Sequence, residues 1–212
     1  MIKIDNVAPA DIERESFATI TRELGDKQPS PELAPIVKRV IHTTADFEYA
    51  DTLYFSPDVV EKAKEAIRGG AAIVTDTQMA YSGINKRSAA KFECEVHCFM
   101  SDKDVAERAK AAGVTRARMS MDKASELGDN VIFAIGNAPT ALIRLRELID
   151  EGYKPKLIIG VPVGFVNVIP SKELIIETDI PCIVARGRKG GSNVAACIIN
   201  ALLYMMDEKR GD

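Results

Sequence analysis

Three apolar runs in the second half of the chain each break into a glycine-bearing loop and then into a stretch with helical spacing: VIFAIGNAPT at 131–140, LIIGVPVGFV at 157–166 and CIVARGRKGGS at 182–192. Short apolar runs without alternation are what strands look like when both faces of their sheet are covered, and helices between parallel strands supply the cover. In an open α/β sheet, ligands bind in the crevice beyond the carboxyl ends of the strands, where such loops meet. The binding site is expected there.

The first half follows the same alternation. Ile12, Phe17, Ile20 and Leu24 fall on one helical face, and Gly25 is placed to stop that helix. Helical spacing returns from Pro29 to Val40 and runs into a polar segment at 42–51, with His42 at the transition. Ser56, Pro57 and Asp58 read as an N-cap and first turn of a helix that ends at Gly69 and Gly70. A buried strand at 71–76 leads into a polar segment at 76–83, and Phe92 to Met100 reads as a second strand. Helices follow from Asp102 to Ala112 and from Thr115, then near Asn137, Ser171 and Ser192. About five strands separated by ordinary helices predict an α/β fold, a three-layer α/β/α sandwich with a mainly parallel sheet.

Size and charge narrow the partners. A chain of 212 residues, 46% of them hydrophobic, can bury its core as one domain spanning 1–212, with the polar tail from Asp207 to Asp212 a candidate for disorder. No apolar stretch reaches the roughly 20 residues that span a bilayer, and the start from Met1 to Asn6 lacks the apolar core of a signal peptide. A cytoplasmic protein with no membrane partner is expected. The net charge of −3 and the scatter of Lys and Arg along the chain give no drive towards nucleic acid. Cys94, Cys98, Cys182 and Cys197 have neither disulfide-framework nor zinc-knuckle spacing and read as buried thiols.

Candidate chemistry concentrates in a few places. The loop at 187–193 joins three glycines, Arg188 and Lys189 to a helix start, an arrangement that can aim N–H groups and a cation at a carboxylate or phosphate. It matches neither a Walker A loop nor a dinucleotide fingerprint, and an ordinary turn with solvated cations is equally open. The loop at 160–166 offers apolar surface and close backbone approach, which suits a large planar ligand, and a buried strand ending in a tight turn is equally open. Asn137 reads as the N-cap of the helix after the first run. Of the two histidines, His97 alternates on a strand against Cys94 and Cys98, which would lie roughly 13 Å apart at about 3.3 Å per residue, so no metal site is expected. His42 is the better acid–base candidate, with Thr43, Thr44 and Asp46 close by to orient it.

Taken in order, Ser16-Phe17, VIH at 40–42, GNAPTA at 136–141, PVGFV at 162–166, Ser171-Lys172 and RGRKGGS at 186–192 resemble the precorrin-8X methylmutase family, including its cobalt-precorrin-8 form. The resemblance runs from about residue 10 to residue 205. It implies a 1,5-sigmatropic shift of a methyl group from C-11 to C-12 of a corrin precursor, giving hydrogenobyrinate or cobyrinate without any cofactor. It implies that His42 protonates or hydrogen-bonds the ring nitrogen beside the migrating methyl, that Ser16 touches substrate and that Arg116 clamps a carboxylate. Arg186 and Arg188 are further clamps, with Arg14 and Arg87 as outlying candidates. Thr43, Asn137, Gly164, Phe165, Gly190, Gly191 and Ser192 complete the expected corrinoid surface. The resemblance also implies a homodimer with its site near the subunit junction. A tetrapyrrole-sequestering module and a nucleotide-binding α/β enzyme are the rival readings.

Overall fold

Short strands buried on both faces, alternating in sequence with helices, set the architecture. The computed structural model describes Ala8 and residues 11–207, so the start at Met1–Asn6 and the tail beyond Asp207 lie outside the described residues. The chain opens with α1 (Ile12–Leu24), α2 (Ala34–Thr44) and α3 (Tyr49–Thr52), followed by β1 (Leu53–Phe55), α4 (Val59–Arg68) and β2 (Ala72–Thr75). Next come α5 (Gln78–Gly83), α6 (Lys86–Ala90), β3 (Val96–His97), α7 (Lys103–Ala112) and α8 (Arg116–Ser125). The three anticipated strand–loop–helix units close the fold as β4 (Val131–Ile135), α9 (Pro139–Asp150), β5 (Leu157–Gly160), α10 (Val168–Ile176), β6 (Cys182–Ala185) and α11 (Ser192–Met205).

The six strands form one sheet in the order β1-β6-β5-β4-β2-β3. Every neighbouring pair is parallel except β1, which runs antiparallel to β6 with Tyr54 opposite Val184. Successive side chains of a strand face opposite ways. Val131, Phe133 and Ile135 of β4 therefore pack with Leu142 and Leu145 of α9 and Ile175 of α10, while Ile132 and Ala134 pack with Val60 and Ile67 of α4 and Ile198 of α11. The result is a three-layer α/β/α sandwich. Helix α11 is apolar nearly all round and buries nine of its residues from Val194 to Leu203, as a helix pressed between the sheet and a further layer must.

Several elements depart from the sequence reading. The strand expected over Phe92 to Met100 contracts to Val96–His97, because Glu93 takes a positive φ of 58° in a turn where the Cys94 N–H returns to Ala89 O, and a 3₁₀ turn occupies Phe99–Ser101. Strand β1 was not foreseen; three residues on an antiparallel edge carry no period of their own. Helix α2 continues past Val40 and ends only where Ala45 turns left-handed at φ 54°, which puts His42 inside its last turn. Ser56 does not cap α4: its hydroxyl accepts from the Cys182 N–H at 2.9 Å, and the helix starts at Val59 after a left-handed Asp58. The polar segment at 76–83 is itself helical, capped by Thr77, whose Oγ1 accepts from the Ala80 N–H at 3.0 Å. Helix α10 begins at Val168 rather than Ser171, and Ser171 is buried inside it.

Candidate functional site

Helices α1 and α2 cross so that Phe17 stacks on His42, ring centroids 5.3 Å apart and 21° from parallel, with the Arg39 guanidinium 4.8 Å from the Phe17 ring centre. Beside this stack lies a cavity of about 430 Å³ lined by Ser16, Thr19, Ile20, Ile41, His42 and Phe47, among others. The structure thus brings Ser16 and His42 to one cavity. The Ser16 hydroxyl donates to Ile12 O at 2.8 Å, so its oxygen lone pairs remain for a ligand. His42 and Thr43 are exposed, and Thr43 Oγ1 donates to Arg39 O at 2.9 Å.

The carboxyl ends of β2, β4, β5 and β6 carry the second group of candidate residues, a rim of loops tied to one another. Asp76, fully buried at the end of β2, accepts from the N–H groups of Gly136 (2.8 Å), Asn137 (2.8 Å) and Ala138 (2.6 Å). Burial raises the Asp76 carboxyl above its ordinary range, and the three donors offset only part of that rise. The α9 start is therefore capped across the sheet. Asn137 is not the cap; Ala138 occupies that position without a side-chain bond, and Asn137 is left exposed at the rim.

Thr77 and Ser192 share a hydroxyl–hydroxyl hydrogen bond of 2.8 Å, and the Gly191 N–H donates to Val161 O at 2.8 Å. Only glycine fits at two contacts here. A Cβ on Gly190 would lie 2.1 Å from Val161 O, and one on Gly136 would lie 2.6 Å from the Ser192 Cα. The Gly164 N–H donates to Arg188 O at 3.2 Å, joining the 161–167 loop to the 186–191 loop. On the outer side of that junction Phe165 is 83% exposed and Val166 79%, with the Arg188 guanidinium 5.5 Å from the Phe165 ring centre.

The cations around the rim divide by partner. Lys189 donates to Asp46 and Glu48 at 2.5 Å each, so its charge is matched within the chain. Arg186 faces Glu173 at 3.7 Å and lies 5.1 Å from the Tyr54 ring centre. Among the described residues Arg188 has no carboxylate partner, which leaves it for an incoming anion. Arg116 stands apart. It is exposed at the start of α8, in a hollow with Glu107, Lys110 and Val114, and does not line the His42 cavity. Thr115, which caps α8, ties that corner to the rim through Thr140 at 3.0 Å. Arg14 pairs with Asp11 at 2.8 Å, and Arg87 is exposed on α6; neither lines the cavity. Among the described residues no cluster of His, Cys, Asp and Glu could hold a metal ion, and His97 stacks on Phe99 with centroids 5.6 Å apart.

Asp76 and Lys172 were not singled out for a role from the sequence. Lys172 carried a signal that could have found it. Val168, Ser171, Lys172 and Ile175 follow the i, i+3, i+4, i+7 stripe of a buried helical face, and all four are buried. The Lys172 ammonium donates to Gly187 O at 2.9 Å and Lys189 O at 2.8 Å. Burial pulls it from 10.5 down to about 8. Between those values the unfolded chain binds more protons than the folded one, so this group's contribution to stability rises with pH through the window, and below it the folded state carries the whole cost. The unfolding free energy of wild type relative to Lys172→Met should therefore improve by about 2 kcal/mol from pH 7.5 to pH 10, at about 1.4 kcal/mol per pH unit. Urea titrations at the two pH values measure this; a constant difference would mean that the amine is not shifted.

Comparison with known proteins places this geometry. Residues 11–205 match the family model described as precorrin-8X methylmutase. The cobalt-precorrin-8 methylmutase of Priestia megaterium is 47% identical over 95% of this chain and 90% of its own length. That of Salmonella typhimurium strain LT2 is 46% identical over 94% of this chain and 97% of its own length. The crystal structure of precorrin-8X methylmutase from Thermus thermophilus superposes with a TM-score of 0.89 at 40% identity, covering 96% of this chain and 98% of the other.

Proposed function

The chain belongs to the precorrin-8X methylmutase family, and from that premise we propose that it moves a methyl group from C-11 to C-12 of precorrin-8X or cobalt-precorrin-8, with His42 as the proton donor to the macrocycle. As a methylmutase it is an isomerase of cobalamin biosynthesis. The observation that carries the proposal is the shared cavity of Ser16 and His42 at the stacked crossing of α1 and α2.

In the rearrangement the C-11–methyl σ bond breaks as the C-12–methyl bond forms, and the conjugated double bonds shift, so nothing is added or lost overall. A proton or hydrogen bond from His42 on the adjacent ring nitrogen draws electron density from the conjugated system and eases the migration, and the proton returns when the product forms. Positioned general-acid help of this kind contributes roughly 10²–10⁴-fold. The remaining acceleration falls to restraint of the substrate. The exposed Phe165 and Val166 offer a flat apolar contact for the ring, with Gly164, Gly190, Gly191 and Ser192 forming the close-packed loops behind it. Arg188, which has no carboxylate partner among the described residues, and Arg186 take peripheral acetate or propionate groups as charge-assisted pairs. Arg116, Asn137 and Thr43 contact the outer edge of the substrate. The enzyme works as a cytoplasmic homodimer, the dimer being what the family resemblance implies; among the described residues no helix is long and apolar enough to cross a membrane.

The test is incubation of the purified protein with precorrin-8X and, separately, cobalt-precorrin-8, followed by the visible spectrum. Relatives carry both names: cobalt-precorrin-8 methylmutase at 47% identity, and precorrin-8X methylmutase, from Pseudomonas aeruginosa, at 38%. Conversion of either precursor is expected, the faster one naming the substrate. Tight binding of both without conversion would sink the proposal in favour of a sequestering module.

A further inference from the structure

We propose that Lys172 and Lys189 are positioning residues for the methyl shift, joining the glycine-rich loop to the helix that carries His42 through one continuous chain of polar contacts. The proposal rests on His42 as the proton donor. The chain of contacts begins under the loop. Lys172, fully buried in α10, holds the carbonyls of Gly187 and Lys189 at 2.9 and 2.8 Å, and with either two or three N–H bonds its nitrogen can serve both. The Lys189 side chain leaves the loop and closes on Asp46 Oδ2 and Glu48 Oε2, each at 2.5 Å. Asp46 in turn accepts from the Glu48 N–H at 3.0 Å, and its own N–H donates to Thr44 Oγ1 at 3.3 Å. Thr44 Oγ1 donates to Val40 O at 2.8 Å, which closes the chain across the helical turn that contains His42.

Stability is a poor explanation for the outer part of this arrangement. Lys189 is 44% exposed and Glu48 58%, and exposed ion pairs contribute little to folding. Position is a better one. The β1–β6 ladder reaches the loop only at its first residue, where the Arg186 N–H donates to Thr52 O at 2.9 Å; residues 187–191 and 45–48 lie outside regular helix and strand, and side chains rather than backbone bonds join them. The loop also carries Arg188, whose carboxylate contact fixes the substrate, while α2 carries the proton donor. A relative shift of about 1 Å between such groups can cost on the order of 100-fold in rate.

The experiment compares Lys189→Met, the double variant Asp46→Asn/Glu48→Gln and the triple variant on whichever precursor wild type converts, with Tm measured alongside. We expect kcat to fall about tenfold in Lys189→Met and in the double variant, with KM changing less than about threefold, and the triple variant to be no slower than Lys189→Met. If Lys189 instead bound a substrate carboxylate, Lys189→Met would raise KM at unchanged kcat, and the double variant, by freeing the ammonium, would lower KM. That pattern overturns the proposal, as does an unchanged kcat in all three. Lys172→Met, provided it folds, should show faster amide exchange over 186–191 and a kcat loss that does not add to that of Lys189→Met. His42→Ala in the same assay separates the two ideas. Retained turnover there removes His42 from the reaction, whereas the kcat coupling between Lys189 and its carboxylates judges the clasp alone.

Discussion

His42→Ala is expected to lower kcat by about 10²–10⁴-fold while leaving the affinity for the corrin precursor within a few-fold of wild type. The prediction follows from what the imidazole does and does not hold. It is exposed, and its described aromatic contact is the stack on Phe17 at 5.3 Å, so its removal costs the fold only about the 0.5–1.5 kcal/mol of an aromatic pair. In the proposed reading, substrate binding draws mainly on surfaces elsewhere: the exposed Phe165 and Val166 face, and Arg188, which has no carboxylate partner among the described residues. The proton donor, by contrast, has no substitute in the cavity. Ser16 carries only a hydroxyl, a far weaker acid than an imidazolium, and the other polar groups lining the cavity lie on the opposite helix. Single-turnover spectra of wild type and His42→Ala at saturating precursor isolate the bound-state step. A variant that turns over at the wild-type rate would assign the acceleration to conformational restraint alone, and one that loses affinity while keeping kcat would make His42 a binding group.

The sheet was legible because its central strands are buried on both faces. The runs at 131–135, 157–160 and 182–185 need only to be apolar, bounded by turns and followed by helices, and each became a strand of the parallel sheet. Strands β1 and β3 were illegible or misjudged for the opposite reason. At the two edges of the sheet, with three and two residues, they owe their extended state to neighbours rather than to their own pattern. The loss of residues 92–95 from β3 turned on the left-handed Glu93, a conformation that no apolar periodicity encodes.

The site divides along similar lines. Ser16 and His42 lie 26 positions apart, and their meeting depends on how α1 crosses α2, which local pattern does not reveal; a match to a family's ordered motifs could point to both. The glycine loops announced themselves through composition. Their internal partners did not. Lys189 looked available to an anion because Asp46 and Glu48, which neutralise it, are more than 140 residues away in the chain. Asn137 looked like a cap because nothing local indicated that Asp76, 61 residues earlier, supplies the carboxylate to its N–H. Long-range polar closure is the part of a site that a sequence hides best.

Asp76 is where that closure carries the largest structural consequence. Asp76→Ala should lower the unfolding free energy by about 3–4 kcal/mol, a large share of the roughly 5–15 kcal/mol that holds a domain folded. The substitution removes one acceptor group from three N–H donors at once, those of Gly136, Asn137 and Ala138. Each buried donor left without a partner costs about 1–3 kcal/mol, and the α9 N-terminus also loses a negative charge at its positive end. Two effects work against the full sum. Asn137 is exposed and can turn to water, and the variant no longer bears the cost of burying a carboxylate, the same burial that pushes Asp76 up. Asp76→Asn refines the comparison, because it keeps the shape and one oxygen but turns an NH₂ towards donors; a loss of about 2–3 kcal/mol is expected there. The damage should reach the rim, since Gly136 packs directly on Gly191 and Ser192, so both variants should also raise KM for the corrin precursor. Urea denaturation gives the stability and steady-state turnover gives the KM. If Asp76→Ala unfolds within about 1 kcal/mol of wild type, water has taken over the three N–H groups, and the rim is held by the Thr77–Ser192 and Gly191–Val161 bonds rather than by the aspartate.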